Sequence, residues 1–193
     1  MIARLRGESG VSLIEMLTVM VIMGVVMGGL VTMLAQGSNA EVDMNNRFQA
    51  QVSARLGLDR LRRDLHCSSG PHTQTTPSAT SVVLDVPCVS SGVISWCTSG
   101  SGSRYGLYRS LTTTCSSSSP KLVDYLTSGN AFWYDAQWAG SLAKLHVNLS
   151  VNAKPKKTVD TYALCDVIAL RNTTRVAAVT TAPATVPNTT PAC

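Results

Sequence analysis

Residues 11–35 form an unbroken run of 25 residues that holds a single charge, Glu15. As a helix, this run would extend roughly 37 Å at about 1.5 Å per residue, enough to cross a bilayer with some tilt. It is longer than the apolar core of a cleaved secretory signal, about 7–15 residues, although Ser38-Asn39-Ala40 does offer a small-x-small site beyond it. Arg4 and Arg6 precede the run. The positive-inside rule therefore places the N-terminus in the cytoplasm and the remainder of the chain on the exported side. Six cysteines without a CxxC pair agree with export, because they suit a disulfide-permissive compartment and speak against a zinc ribbon or a thioredoxin-like redox site. The chain is 45% hydrophobic and 14% charged, with a net charge of +5. This composition excludes an acidic disordered chain, and so modest and dispersed a charge does not indicate a nucleic-acid binder.

Glu15 is the anomaly in the run. A carboxylate inside an apolar span costs about 2.5–3.5 kcal/mol on insertion scales, less near the interface. Its setting is Gly10-Val11-Ser12-Leu13-Ile14-Glu15, with a short basic leader before it and an apolar helix after it. This pattern resembles the type III signal of type IV pilins and type II secretion pseudopilins. The resemblance implies that a membrane aspartyl protease, the prepilin peptidase, cuts between Gly10 and Val11. It also implies that the new amine of Val11 is methylated, and that Glu15 is retained to pair with the terminal amine of a neighbouring subunit. The physics is coherent, since a buried carboxylate and a buried amine are costly apart and tolerable together. Val11 stands where phenylalanine is common in that family, and the first proline of this chain is Pro71.

With no proline before Pro71, one helix is predicted from Val11 to about His66. It divides into a transmembrane half, 11–35, and an amphipathic half, 36–67. Val42, Phe48, Val52, Leu56, Leu61 and Leu65 recur mostly at spacings of three to five and are expected to pack on a globular domain. Arg47, Arg55, Arg60, Arg62 and Arg63 are expected on a solvated face. Gly24, Gly28 and Gly29 form a small-xxx-small pattern suited to close helix contact. A turn-rich linker, 68–80, leads to strand-like runs at 81–89, 92–97, 104–111, 121–126, 131–134, 141–151 and 158–171. In the sixth run Leu145, Val147, Leu149 and Val151 fall on one face, opposite His146. The fold class expected is α+β, a long N-terminal helix packed on a mostly antiparallel sheet. The expected division is leader 1–10, helix 11–67, sheet domain 68–172 and a Thr/Pro-rich tail 173–193. The segments Arg60–Leu65, Tyr105–Arg109 and Ala169–Asn172, in that order, resemble W-type minor pilins and J-type pseudopilins.

Catalytic patterns are absent from the sequence: no GxSxG, no HExxH and no Walker A loop. His66, His72 and His146 have no ligand spacing, and neither a metal nor a cofactor is expected. Cys88 and Cys97 flank the turn Ser90-Ser91-Gly92 and are expected to pair; Cys193 is expected to be bridged, its partner open. The reading that follows is a minor pilin or pseudopilin, a structural subunit and not an enzyme. Its partners would be the prepilin peptidase, other pilin or pseudopilin subunits and the membrane. It would wait as a single-pass protein of the cytoplasmic membrane before joining a filament on the cell surface. The rival readings are a competence pseudopilin aiding DNA uptake through Lys154, Lys156 and Lys157, a membrane-anchored exported enzyme, and an exported binding module.

Overall fold

The computed structural model describes residues 12–72, 77–135, 142–154 and 160–172. Helix α1 runs from Leu13 to Cys67 without interruption. The strands that follow are β1 (Gly70–Pro71), β2 (Ser81–Asp85), β3 (Val93–Ser101), β4 (Arg104–Ser110), β5 (Lys121–Leu126), β6 (Phe132–Asp135), β7 (Lys144–Val151) and β8 (Tyr162–Ala169). The chain divides into two compact units, Met1–Asn45 and Asn46–Cys193. In the first, the described residues are helical from Leu13 onward and almost all exposed. The second combines the C-terminal part of α1 with the sheet.

All strand pairings are antiparallel, in the order β1-β2-β3-β4-β5-β7-β6, with β8 on β7. Strand β7 is the hinge of this arrangement. It pairs with β8 from Lys144 to Val151, with β6 through Lys144–Val147 and with β5 at Val151. Its alternation explains why: Leu145, Val147, Leu149 and Val151 are all buried on the helix-facing side. The fold is therefore the expected α+β one, a long helix packed on an antiparallel sheet. Strand β1 was not anticipated, and the Gly100–Gly102 segment belongs to a hairpin. Strand β3 continues to Ser101, and Gly102 takes a φ of 63° at the turn into β4, a conformation that favours glycine.

The helix face that meets the sheet differs from the expected stripe. Ala50, Ala54, Gly57, Leu58, Leu61, Asp64 and Leu65 are buried, whereas Phe48 and Leu56 are 63% and 64% exposed and Val42 and Val52 are exposed as well. Only Leu61 and Leu65 of the expected set reach the core. The reason is close approach. A Cβ on Gly57 would collide with the side chain of Val123 on β5, so at this point α1 approaches the sheet too closely for a larger residue. Leu58, Leu61 and Leu65 then pack with Leu84, Ile94, Trp96, Leu107 and Leu149 in one core.

The arginines are not simply solvated. Arg47 donates to Asp160 (2.8 Å), Arg55 to the Tyr162 hydroxyl (3.1 and 3.3 Å) and Arg62 to Asp166 (2.7 Å). Spacings of eight and seven residues put these three on one side of the helix, where they fasten it to β8 and the turn before it.

Candidate functional site

Helix α1 begins immediately after Ser12. The Ser12 carbonyl accepts from the N–H groups of Glu15 (2.9 Å) and Met16 (3.2 Å), which sets Glu15 in the first turn. A carboxylate there meets the positive end of the helix dipole. The polar side chains of the following run satisfy themselves on the helix: Thr18 donates to the Glu15 carbonyl (2.9 Å) and Thr32 to the Gly29 carbonyl (2.7 Å). Such back-bonding removes hydroxyl donors from the surface, as an apolar surrounding requires. An 18-residue window of α1 reaches a mean hydropathy of 2.3 with none of it buried, enough by length and composition to cross a membrane. A Cβ on Gly24, Gly28 or Gly29 would meet nothing within 4 Å. Among the described residues, the smallness of these glycines therefore serves no packing contact. Gly10 and Val11, the expected cleavage and methylation positions, lie outside the described residues.

The sheet unit holds a polar centre that sequence reasoning missed. Asp64 is buried at the helix–sheet junction. It accepts from Trp96 Nε1 (3.1 Å), Arg109 Nε (2.7 Å) and Arg109 Nη2 (3.3 Å), and Arg60 Nε stands 4.0 Å away. A fully buried tryptophan needs a partner for its N–H, which Asp64 supplies, and a buried carboxylate needs compensating charge, which Arg109 supplies. One signal was available: Asp64 follows Gly57 and Leu61 at i+7 and i+3, the spacing of the core face.

A second polar group lies at β4–β5. Burial works to raise the Asp124 pKa, but the Tyr125 backbone N–H, Arg104 and Lys121 outweigh it and hold the carboxyl below its ordinary range. Arg104 also sits over the Tyr125 ring, 4.3 Å from its centroid, and Tyr125 takes a φ of 65°. These contacts hold a bulky residue in a conformation such residues rarely adopt.

The cysteines correct the expected Cys88–Cys97 pair. The bridges are Cys67–Cys88 and Cys97–Cys115, with Cα atoms 6.0 and 5.8 Å apart, inside the usual range. In the β2–β3 ladder Cys97 lies opposite Ser81, at the end remote from the turn, while Asp85 and Val93 close it. Cys88, in the connection, is left beside the end of α1. The first bridge therefore ties the helix terminus to the β2–β3 connection, and the second ties the loop after β4 to β3. Cys165 is disulfide-bonded as well; the expectation for Cys193 lies outside the described residues. Non-reducing peptide mapping is expected to recover Cys67–Cys88 and Cys97–Cys115. A Cys88–Cys97 peptide would reverse this assignment.

The histidines stay apart. His146 Nε2 lies 2.7 Å from Asp135 and His72 Nδ1 lies 2.6 Å from Asp85, on different strands. Among the described residues there is no group of three or more His, Cys, Asp or Glu side chains able to hold a metal. Of the lysines expected in a basic loop, Lys154 donates its backbone N–H to Asn152 (2.7 Å), and Lys156 and Lys157 fall outside the described residues.

A basic leader, a first-turn glutamate and a long, exposed apolar helix fit a membrane-anchored protein. The comparison with protein families is more specific: the family model for the prokaryotic N-terminal methylation motif matches residues 5–31. This is the type IV pilin and pseudopilin signature, a structural and not a catalytic one, and it gives the chain a pilin-like N-terminus. No curated protein and no solved structure matches the chain.

Proposed function

We propose that this protein is a minor pilin or pseudopilin, a structural subunit of a type IV pilus or type II secretion-like filament. The observation that carries the reading is the methylation motif over residues 5–31, which overlaps a long apolar helix whose side chains are exposed among the described residues. In this reading prepilin peptidase removes residues 1–10 and Val11 becomes the methylated N-terminus. Residues 11–35 anchor the subunit in the cytoplasmic membrane, N-terminus inside, and 68–172 form the exported sheet domain. Assembly then exchanges lipid contact for contact with other pilin or pseudopilin helices. The open backbone at Gly24, Gly28 and Gly29 supports that exchange, since small residues let membrane helices approach closely. Phe48, Val52 and Leu56, exposed at i, i+4 and i+8, extend the apolar surface beyond the span.

The test is the mature N-terminal residue. Mass spectrometry of protein from a strain with the peptidase is expected to give methylated Val11. Gly10→Val is expected to leave the leader attached, because a side chain there obstructs the backbone in the protease cleft. A mature protein beginning at Met1 identifies a simple anchor, and one beginning at Glu41 a secreted module; either overturns the proposal.

A further inference from the structure

A cavity of about 560 Å³ opens between α1 and the β4–β5 connection, lined by Arg60, Arg109, Ser110, Leu111, Pro120 and Leu122. Its volume is in the range of small-ligand sites, roughly 300–1,000 Å³. The chemistry of its wall is divided. On one side are two guanidinium groups, Arg60 half exposed at 51% and Arg109 at 14%. Behind them lies one carboxylate, Asp64, whose Oδ2 already accepts from Trp96 and Arg109 and whose Oδ1 faces Arg109 and Arg60. One positive charge is in excess. Among the described residues, the Nη atoms of Arg60 and Nη1 of Arg109 have no partner. On the other side, Leu111 and Leu122 are 50% and 37% exposed and stand with Pro120 at the same opening.

We propose that this cavity binds a peptide segment of a partner protein that presents a carboxylate side chain next to a branched aliphatic one. The carboxylate meets the unspent guanidinium donors in a forked geometry, and the aliphatic group covers Leu111 and Leu122. A wholly apolar peptide would strip water from Arg60 without replacing its hydrogen bonds. A polyanion such as nucleic acid draws on many cations in register, and one excess charge beside an apolar wall does not provide them. The inference does not depend on the filament reading, because the cavity is made by residues of the sheet unit alone.

The carboxylate behind the arginines also supplies a reporter. Trp96 Nε1 donates to the same Asp64 that holds Arg109. A second carboxylate on Arg109 and Arg60 is therefore expected to shift the Trp96 indole N–H resonance. The experiment is a titration of the full-length, 15N-labelled chain in zwitterionic detergent with acetyl-Leu-Glu-amide. A saturable shift of that resonance is expected, weaker in apparent affinity by about tenfold for acetyl-Leu-Gln-amide and for acetyl-Ala-Glu-amide. Arg60→Gln, at an exposed position whose one described contact is the 4.0 Å approach to Asp64, is expected to abolish the shift. Should Arg60→Gln disturb the Trp96 resonance before peptide is added, Leu111→Asn replaces it, with an expected weakening of about tenfold to match the loss of the peptide's leucine. No shift, an equal shift with the glutamine peptide, or an unchanged shift in the variant overturns the proposal.

Discussion

Replacing Asp64 with alanine is expected to destabilise the sheet unit by about 3–5 kcal/mol, the usual cost of breaking a buried ion pair by removing one partner. The magnitude follows from what remains. Arg109 is largely buried and would lose both of its hydrogen bonds, and the Trp96 indole N–H would be left without an acceptor inside the core. Asp64→Asn is expected to cost less, since an amide oxygen still accepts from Trp96. Removing the charges together, in Asp64→Leu with Arg109→Leu, is expected to recover the part of the loss that comes from the unpaired charge, while the Trp96 N–H, still without its acceptor, keeps its share of the cost. Urea unfolding followed by tryptophan fluorescence measures all three. A loss under about 1 kcal/mol in Asp64→Ala would mean that solvent at the adjoining opening compensates Arg109 in full and that the pair does not fasten α1 to the sheet.

The strands of this fold were legible because their signal is local. Alternation over Leu145–Val151 assigns one face to the core before any partner is known, and it does so correctly because β7 is flanked by strands on both edges. The face of α1 was not legible in the same way. Phe48, Val52 and Leu56 are more apolar than Ala50, Ala54 and Gly57, yet the smaller residues are the buried ones. Hydropathy ranks side chains by their preference for leaving water, whereas the closeness of two backbones is decided by volume, and Val123 occupies the space a side chain at position 57 would need. The large residues then remain outside, which is why the same spacing fits both a core stripe and a surface available to another helix.

The cysteine pairing and the Asp64 centre were hidden for a different reason. Each joins residues far apart in sequence through strand register: Cys97 faces away from the β2–β3 turn because Ser81 stands opposite it, and Arg109 reaches Asp64 because β4 pairs with β3 at Trp96. Register follows from the whole sheet and not from the few residues around a turn. The N-terminal signature is the opposite case. Gly10, Val11 and Glu15 lie within six residues, so the chemistry they imply can be read without a fold. In the proposed function it is carried by residues that act on the peptidase and on neighbouring subunits.

Glu15→Val is expected to separate membrane insertion from assembly. Insertion should be unimpaired or improved, since the one charge in residues 11–35 is removed. Incorporation into filaments should fall by about tenfold or more, because the Val11 amine of a neighbouring subunit would be buried without a counter-charge. Glu15→Gln sharpens the reading. It keeps the length and the hydrogen-bonding oxygen while removing the charge, so incorporation close to that of Glu15→Val identifies charge pairing as the determinant, and recovery toward wild type identifies hydrogen bonding. The measurement is the ratio of protein in the sheared filament fraction to that in the membrane fraction, with equal membrane levels as the control for insertion. Wild-type incorporation of Glu15→Val would leave apolar helix contacts as sufficient for register. Glu15 would then mark the membrane boundary, where the positive end of the helix dipole already favours a carboxylate.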